Sequence, residues 1–454
     1  IDTPTDLIQT GRTLFPAATY DACKLTAMVS ISSPDTPEEL EEVDDNARAP
    51  VYLVAVVDKS GSMSGDKIKS LKETLEFIIK EMSKRDRLAI VEYDTNVYTT
   101  LPLTTMDEAG KNAANAVVKR LRTGSSTNLS GGLKTGLSLI PSDIDTKTVV
   151  STLLMTDGHA NVGTKTASGI IEEMRALQQG GVGRCTVNTF GFGKDHNATM
   201  LKDISDAAEG MYYFIENADS IATSFADCLG GLLSVSAQGI ELTIEACGDN
   251  QIGRIHTPKS ISEIVAGKQY RIALGDMQEG ENRDIPFEVS VSACSSAEKF
   301  PLAKISLSYF NMKTEAMGEC TEEICIARVA ELSDEHKEAN TEVNKHCNRI
   351  LAADAAESAV SLANTGNIEE ARSCLEKAAA EIKESVSAGD DLCQGLLQQL
   401  ETSKSGLASR STYQQAGQYQ MNAFSKCMKM QRCAASAAPE SWIAFPSRHQ
   451  TTSE

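Results

Sequence analysis

Two patterns of apolar residues organise the first half of the chain into buried strands and amphipathic helices. An uninterrupted apolar run occupies residues 51–57, and such a run is typical of a strand buried on both faces of a parallel sheet; the segments 148–155 and 185–192 predict two more buried strands. Between them lie segments such as 68–82, where apolar residues recur every three or four positions, which predicts helices. The alternation of strand and helix predicts a doubly wound, Rossmann-like α/β domain over residues 49–234.

The pattern changes twice further along the chain. Short alternating segments separated by turn residues predict an antiparallel β-sandwich over residues 235–331. Residues 332–433 are rich in Ala, Glu and Leu with helical spacing, which predicts a bundle of three or four antiparallel helices. Within residues 1–48 we expect a strand at 23–31 followed by a solvated acidic linker. Residues 434–454 form a tail without clear periodicity.

Composition excludes some classes of partner. The formal net charge of -20 opposes nucleic acid and anionic membrane surfaces, because phosphate groups bind Lys and Arg. No apolar run approaches the length of a transmembrane helix, so no membrane span is expected. The amino terminus lacks a signal pattern. Because residue 1 is Ile rather than Met, we also consider that an upstream segment was removed or left out.

Cysteine usage bears on the compartment. The twelve cysteines include no C-x-x-C pair, so neither a zinc ribbon nor a RING is predicted. Scattered cysteines of this kind predict reduced, mostly buried thiols and therefore a cytoplasmic protein. A secreted protein with disulfides is the alternative.

Carboxylates and hydroxyls gather where buried strands end. The carboxyl ends of parallel strands share one edge of a sheet, so polar residues that follow different strands can converge there. Oxygen ligands of this kind suit a small divalent cation. The candidate ligands, taken from two strand ends and the turns beside them, are Asp58, Ser60, Ser62, Thr127 and Asp157.

The motifs DKSGSM, GSSTNLSGGL and LLMTDGHAN resemble the metal-ion-dependent adhesion site (MIDAS) of von Willebrand factor type A (VWA) domains, and all five candidate positions match. In that family the serines and the threonine typically bind the metal directly, while the aspartates act partly through water. The resemblance implies Mg²⁺, with Mn²⁺ or Ca²⁺ as alternatives. It also implies that an Asp or Glu of a protein partner supplies the last ligand. The metal is then a docking point, and the chain a non-enzymatic interaction scaffold that can join a larger complex.

The resemblance extends beyond this site. FGFGKDHNATMLKDISDAAEGMYYFIE, SRSTYQQAG and the triplet Met430, Gln431 and Arg432 are similar to the plant RING ubiquitin ligases of the wavy-growth type. The heavy chains of inter-alpha-trypsin inhibitor are similar more remotely. These relatives imply a VWA domain, a small β-domain and a helical segment in that order. They also imply that residues 15–33 join residues 235–330 in one β-sandwich.

The chain departs from the plant ligases in three ways. It has no RING, Lys59 stands where a small apolar residue is usual, and Ser126 replaces a usual glycine. We expect the Lys59 side chain to point into water; the alternative is that its positive charge beside the metal favours acidic ligands. Two rival functions stay open: the substrate-recognition part of a RING ligase whose RING lies upstream of residue 1, and a secreted adhesion or matrix protein. A hydrolase built from Ser60 with His159 or His196 is not favoured, because the serine loop lacks the G-x-S-x-G spacing.

Overall fold

The computed structural model describes residues 6–34, 48–180, 185–193, 195–215, 219–294 and 297–431. Most of the predicted acidic linker and the whole predicted tail therefore lie outside the described residues. By their internal contacts the described residues form two compact units. The α/β unit contains residues of 43–234 and 409–426, and the sandwich-helix unit contains residues of 1–42, 235–408 and 427–432.

The strands, in chain order, are β1 (Ile8–Thr13), β2 (Ala17–Thr19), β3 (Cys23–Ser32), β4 (Val51–Asp58), β5 (Arg87–Tyr93), β6 (Val97–Thr105), β7 (Val149–Thr156), β8 (Thr186–Phe192), β9 (Tyr212–Ile215), β10 (Val235–Ala246), β11 (Gln251–Ile255), β12 (Ile261–Val265), β13 (Gln269–Gln278), β14 (Asn282–Val291), β15 (Ala297–Asn311) and β16 (Ala316–Val329). The helices are α1 (Asp66–Glu81), α2 (Glu108–Arg120), α3 (Leu129–Ser138), α4 (Ala167–Gln179), α5 (Ala198–Ala207), α6 (Asp219–Leu233), α7 (Thr341–Asn364), α8 (Ile368–Glu384), α9 (Asp391–Gly406), α10 (Arg410–Thr412) and α11 (Gln418–Met430).

The α/β unit is built on one sheet with the strand order β6-β5-β4-β7-β8-β9. All neighbours in this sheet are parallel except β5 and β6, which pair antiparallel. The predicted doubly wound fold is therefore confirmed, with one antiparallel strand at the edge. Every residue of β7 and all but one of β4 are buried, which explains why neither sequence alternates between apolar and charged residues.

The position of β4 in this sheet determines where a site can form. After β4 the chain adds β5 and β6 on one side and then returns to add β7 on the other side. Such a reversal opens a crevice at the carboxyl ends of the two strands, where open α/β sheets bind ligands. Asp58 ends β4 at this crevice, and Thr156 ends β7 beside it.

The sandwich-helix unit contains two sheets that enclose one apolar core. One has the order β1-β3-β14-β11 and the other the order β12-β13-β10-β15-β16-β2. The core takes Val29 and Phe287 from the first sheet and Leu242 and Ile305 from the second. The predicted strand at 23–31 is present as β3 and pairs antiparallel with β14 along its whole length. The sandwich is antiparallel apart from β2, which pairs parallel with β16.

The same unit carries the helices α7, α8 and α9, which contact one another. The buried face of α7 consists largely of alanines, so the helix presents little side-chain volume to its neighbours. Helices α7 and α8 are joined through Gly366, whose φ of 93° lies in the left-handed region that favours glycine. The predicted helical segment is thereby confirmed as a fold class.

Four strands were not predicted from the sequence, and each has a physical reason. β1 is mostly polar and only partly buried, β2 has three residues, and β11 contains Gly253. β12 is exposed along its whole length, so its sequence shows no buried face. Strands of this kind are held by pairing with a neighbour, which hydrophobic periodicity does not reveal.

The structure also bears on the predictions about cysteine burial and membrane spans. The expectation of mostly buried thiols is wrong, because among the ten free cysteines of the described residues only Cys185, Cys228 and Cys393 are buried. In the described part of the chain no helix combines the length and the apolar character needed to cross a membrane.

A buried arginine ties the sandwich to the helices within the sandwich-helix unit. Arg349 of α7 is 1% exposed, and its guanidinium donates to the backbone carbonyls of Asp284, at 2.9 Å, and of Met428. Burial, followed by the charge of Arg349, lowers the pKa of His346 to about 3, so this imidazole is neutral and accepts from Arg349 through Nδ1. Gln431 adds two hydrogen bonds to the backbone of Asp284, at 2.9 and 3.0 Å. Strand β14, helix α7 and the segment after α11 are thus joined at one point.

We predict that Arg349→Met destabilises the protein by about 3 kcal/mol, because the Met428 carbonyl and His346 Nδ1 lose the donor that the guanidinium provides, the Asp284 carbonyl keeps only Gln431, and methionine donates no hydrogen bond. Urea unfolding measures the change. Arg12→Met is the matched control, since Arg12 lies exposed on β1 of the same unit. Equal unfolding midpoints for the two variants would contradict a structural role of the buried guanidinium.

Candidate functional site

Asp58 lies at the centre of the candidate site and is fully buried at the end of β4. Its Oδ2 accepts a hydrogen bond from the Thr156 hydroxyl at 2.6 Å, and its Oδ1 accepts from the Ser60 backbone N–H at 2.8 Å. The strand β7 supplies the first donor and the turn after β4 supplies the second. The carboxylate is therefore oriented by both neighbours before any ligand is considered.

The two serines lie in the turn that leads from β4 into α1. Ser60 is buried, whereas Ser62 is exposed, and their hydroxyl oxygens are 3.1 Å apart. Residues Gly61–Met63 form a single 3-10 turn, and Gly65, with φ of 78°, begins the helix. The turn thus directs two hydroxyls toward each other beside the carboxylate of Asp58.

Asp157 follows β7 and is also fully buried. Its Oδ2 lies 3.4 Å from the ammonium of Lys67, in the first turn of α1. Its Oδ1 is buried and has no hydrogen-bond partner among the described residues. A buried carboxylate oxygen without a partner is costly, so this atom fits a site that binds a cation.

Thr127 is buried in the turn before α3, and its position is determined by backbone hydrogen bonds. Its N–H donates to the side-chain oxygen of Asn161 at 2.8 Å, and its carbonyl accepts from the N–H groups of Asn161 and Val162, each at 3.1 Å. Two residues earlier, the Ser125 carbonyl accepts from the Gly61 N–H at 2.8 Å. These bonds connect the threonine turn to the serine turn and to the loop after Asp157.

The electrostatics of the site reflect two buried carboxylates. Burial, and to a smaller extent the charge of Asp157, raise the pKa of Asp58 from 3.8 to about 6, against the opposing effect of hydrogen bonds from Thr156 and Ser60. Ionising Asp58 therefore costs more in the folded, metal-free protein than in the unfolded chain. A divalent cation would reverse this cost, since it favours the ionised form of both groups.

The residues fit a metal ion that is bound by oxygen atoms, few of which belong to carboxylates. Two carboxylates and three hydroxyls are the available donors, and the unpartnered Oδ1 of Asp157 is one of them. The described residues contain no cluster of three or more His, Cys, Asp or Glu side chains that could hold a metal. Binding would therefore depend on the hydroxyls of Ser60, Ser62 and Thr127, and the assignment of these residues as ligands stays a prediction.

The structure accounts for both departures beside the site. The expectation that Lys59 points into water is wrong, because its ammonium lies 3.2 Å from Glu92 and 4.8 Å from the centre of the Tyr98 ring. Ser126 replaces a usual glycine without strain, since its φ is not in the left-handed region.

The two histidines considered for a hydrolase make other contacts. His196 uses Nδ1 on the Gly193 carbonyl and Nε2 on the Tyr212 hydroxyl, and burial lowers its pKa to about 4. His159 contacts the backbone carbonyl of Asp195 at 2.5 Å. Neither contact prepares a serine for nucleophilic attack.

Three residues of the site were missed from the sequence. Thr156 orients Asp58, Asn161 positions Thr127, and Lys67 pairs with Asp157. Thr156 could have been found, because the residue before a strand-end aspartate lies beside the neighbouring strand end. Asn161 and Lys67 carry no such signal, since their roles depend on how separate loops meet.

Comparison with family models agrees with the fold. Residues 53–227 match the model described as von Willebrand factor type A domain. Residues 337–434 match the model described as CPSF6-like, RSLD domain, N-terminal region.

This chain is similar to part of two curated proteins. The E3 ubiquitin-protein ligase WAV3 of Arabidopsis thaliana is 30% identical over 258 residues, which cover 56% of this chain and 33% of that protein. Inter-alpha-trypsin inhibitor heavy chain H3 of Rattus norvegicus is 30% identical over 162 residues, which cover 34% of this chain and 18% of that protein. The chain thus spans a third or less of the length of these relatives.

A solved structure supports the fold over most of the chain. The structure described as von Willebrand factor type A from Catenulispora acidiphila superposes with a TM-score of 0.69 at 17% identity, and covers 86% of this chain and 89% of that chain. Together with the family match, this likeness shows that the chain contains a von Willebrand factor type A domain, a protein-interaction module, over residues 53–227.

Proposed function

We propose that the VWA domain is a non-enzymatic docking module that binds an acidic side chain of a protein partner through Mg²⁺. The single observation that carries this proposal is the buried Oδ1 of Asp157, which has no hydrogen-bond partner among the described residues. It lies at a strand end beside a second buried carboxylate, and such a pair is costly without a cation.

The hydroxyl and carboxylate residues of the site would contribute differently to binding of the ion. Ser60, Ser62 and Thr127 would supply hydroxyl oxygens, while Asp58 and Asp157 would supply negative charge. Mg²⁺ favours oxygen ligands and octahedral geometry, and Mn²⁺ or Ca²⁺ could replace it. When bound, the ion would offer a coordination position to a carboxylate of the partner. Because Asp58 already accepts from Thr156 and the Ser60 N–H, it is held in place and is not free to occupy that position itself.

The overall charge makes the proposal specific. The chain carries a net charge of -20, so an acidic partner is repelled at long range. Attraction must therefore come from the ion at short range. Salt screens the long-range repulsion more than the direct contact, so capture through the metal should persist at moderate ionic strength.

A second candidate is the substrate-recognition part of a ubiquitin ligase. It is favoured by the 30% identity to the ligase WAV3 over 258 residues. In this candidate the same metal site would capture the substrate, and a RING upstream of residue 1 would supply the ligase activity. The open reading frame distinguishes the two candidates, because a cysteine- and histidine-rich segment before residue 1 supports the ligase.

We predict that Ser62→Ala weakens Mg²⁺ binding at least about ten-fold, because the variant removes one of few neutral oxygen ligands. Isothermal titration calorimetry of the full chain measures the change. The matched control is Ser64→Ala, two residues further along the same turn and also exposed. If both variants bind Mg²⁺ as the wild type does, Ser62 is not a ligand.

We predict that Asp58→Asn stabilises the metal-free protein at neutral pH while it removes Mg²⁺ binding. The pKa of Asp58 is about 6 in the folded protein and 3.8 without the shift, so the folded state binds the proton more tightly. Stability from this proton is fully present below the unfolded pKa and is lost as the pH rises through about 6. The loss is about 3 kcal/mol above that pH, and asparagine avoids it.

Chemical unfolding in EDTA at about pH 8 and about pH 5 checks this prediction, since the advantage of asparagine should shrink at the lower pH. Asp66→Asn is the charge-matched control, because Asp66 is exposed in the first turn of α1. If Asp58→Asn is less stable than the wild type at the higher pH, the buried charge of Asp58 does not destabilise the folded protein.

We predict that partner capture depends on the ion. The wild type and Ser64→Ala should retain the same set of proteins in Mg²⁺, and EDTA or Ser62→Ala should release them. Affinity capture with quantitative mass spectrometry provides the comparison. If Ser62→Ala in Mg²⁺ and the wild type in EDTA both retain the same proteins as the wild type in Mg²⁺, docking through the metal is contradicted.

A further inference from the structure

Lys67 is the cation of the candidate site. It lies in the first turn of α1, with its ammonium 3.4 Å from Asp157 Oδ2 and 2.9 Å from Asp195 Oδ1. The amino end of a helix carries partial positive charge, so a lysine is not favoured there by the helix itself. The contacts with the two aspartates offset this cost.

The structure provides space for the Lys67 side chain. Gly193, just after β8, has φ of 81°, and a Cβ added there would lie 2.6 Å from Lys67 Cε. Any larger residue at 193 would collide with the lysine stem or force it to move. The loop after β8 therefore holds Lys67 along one path, between the buried aspartate and the exposed one.

The two ion pairs differ in their surroundings. Asp157 is fully buried, whereas the Asp195 side chain is 68% exposed. The attraction to Asp157 acts in a medium of lower dielectric and is therefore stronger per unit of charge. The pair with Asp195 is screened by water and contributes little stability, but it gives the ammonium a second ion-pair partner.

We propose that Lys67 is a built-in competitor for the divalent cation, which neutralises Asp157 in the metal-free protein and withdraws to Asp195 when the metal binds. This inference rests on the proposed metal site. Lys67 lowers the affinity of the site, since the metal would bind a carboxylate whose charge an ammonium already neutralises. It therefore sets the Mg²⁺ concentration at which an acidic partner can dock.

The test compares two lysine variants by Mg²⁺ calorimetry on the full chain. Lys67→Met should bind Mg²⁺ about ten-fold more tightly than the wild type, because the competing charge is gone. Lys69→Met removes the same charge from an exposed position on the same helix, so it should stay within about two-fold of the wild type. The control separates displacement at Asp157 from a general change in net charge.

A second variant tests Asp195 as the second ion-pair partner. Asp195→Asn leaves Lys67 with Asp157 alone, so Mg²⁺ affinity should fall. In the Lys67→Met background the same change should have a smaller effect, because no ammonium is left to redirect. Equal effects in the two backgrounds would mean that Asp195 acts only through its own charge, which contradicts the proposal. Because each comparison is made within one background, the cycle still tests the proposal if Lys67→Met changes the stability of the protein.

The outcomes separate this inference from the proposed function. If the wild type binds Mg²⁺ and Lys67→Met matches Lys69→Met, the competitor role is wrong and the metal site remains. If neither the wild type nor Lys67→Met binds Mg²⁺, the metal site is wrong and the competitor role with it. Binding by Lys67→Met when the wild type shows none supports both.

Discussion

The burial of two carboxylates at the ends of adjacent central strands is the constraint on which the candidate site depends. Asp58 and Asp157 are fully buried, and their charges repel each other. Residues of strand β7, of the turn after β4 and of helix α1 offset part of this cost: Thr156 and the Ser60 backbone donate to Asp58, and Lys67 pairs with one oxygen of Asp157. One oxygen is left without a partner among the described residues. A site of this kind is electrostatically prepared for a cation.

The loops that carry the hydroxyls are held mainly by backbone hydrogen bonds. The Gly61 N–H bonds the Ser125 carbonyl, and the Gly124 N–H bonds the Lys59 carbonyl, which ties the serine turn to the threonine turn. A Cβ at Gly124 would collide with the Asp94 side chain, so the close approach requires glycine. Positions of the hydroxyls are thus determined by main-chain geometry, which leaves the side chains free to act as ligands.

The sandwich-helix unit shows a different use of buried polar groups. Arg349, His346 and Gln431 all bond to Asp284 or its backbone, and together they join a strand, a helix and the segment after α11. Here every polar group has an internal partner, so the cluster is structural. Asp157 differs from this cluster, because its buried Oδ1 has no partner among the described residues and lies beside a second buried carboxylate.

Periodicity and residue chemistry determined much of this protein from the sequence. The apolar run of β4 and the apolar-rich segment of β7 can be recognised as buried strands, and a strand-end carboxylate can be located to the residue. The order of α/β, β and helical regions follows from the same patterns. The resemblance of three short motifs to the adhesion site then brought five residues from distant positions into one hypothesis. Strands without a buried face, such as β12, leave no comparable pattern, and they were missed for that reason.

Only the tertiary structure decided how those residues are partnered. The sequence places Lys59 next to Asp58, yet its ammonium pairs with Glu92, while Lys67 reaches the buried Asp157. Thr156 and Asn161 likewise acquire their roles from contacts across 98 and 34 positions of sequence. The physical reason is the same in each case. Hydrophobic burial acts on each segment's own pattern and can be read locally, whereas hydrogen bonds and ion pairs depend on which loops meet at the sheet edge.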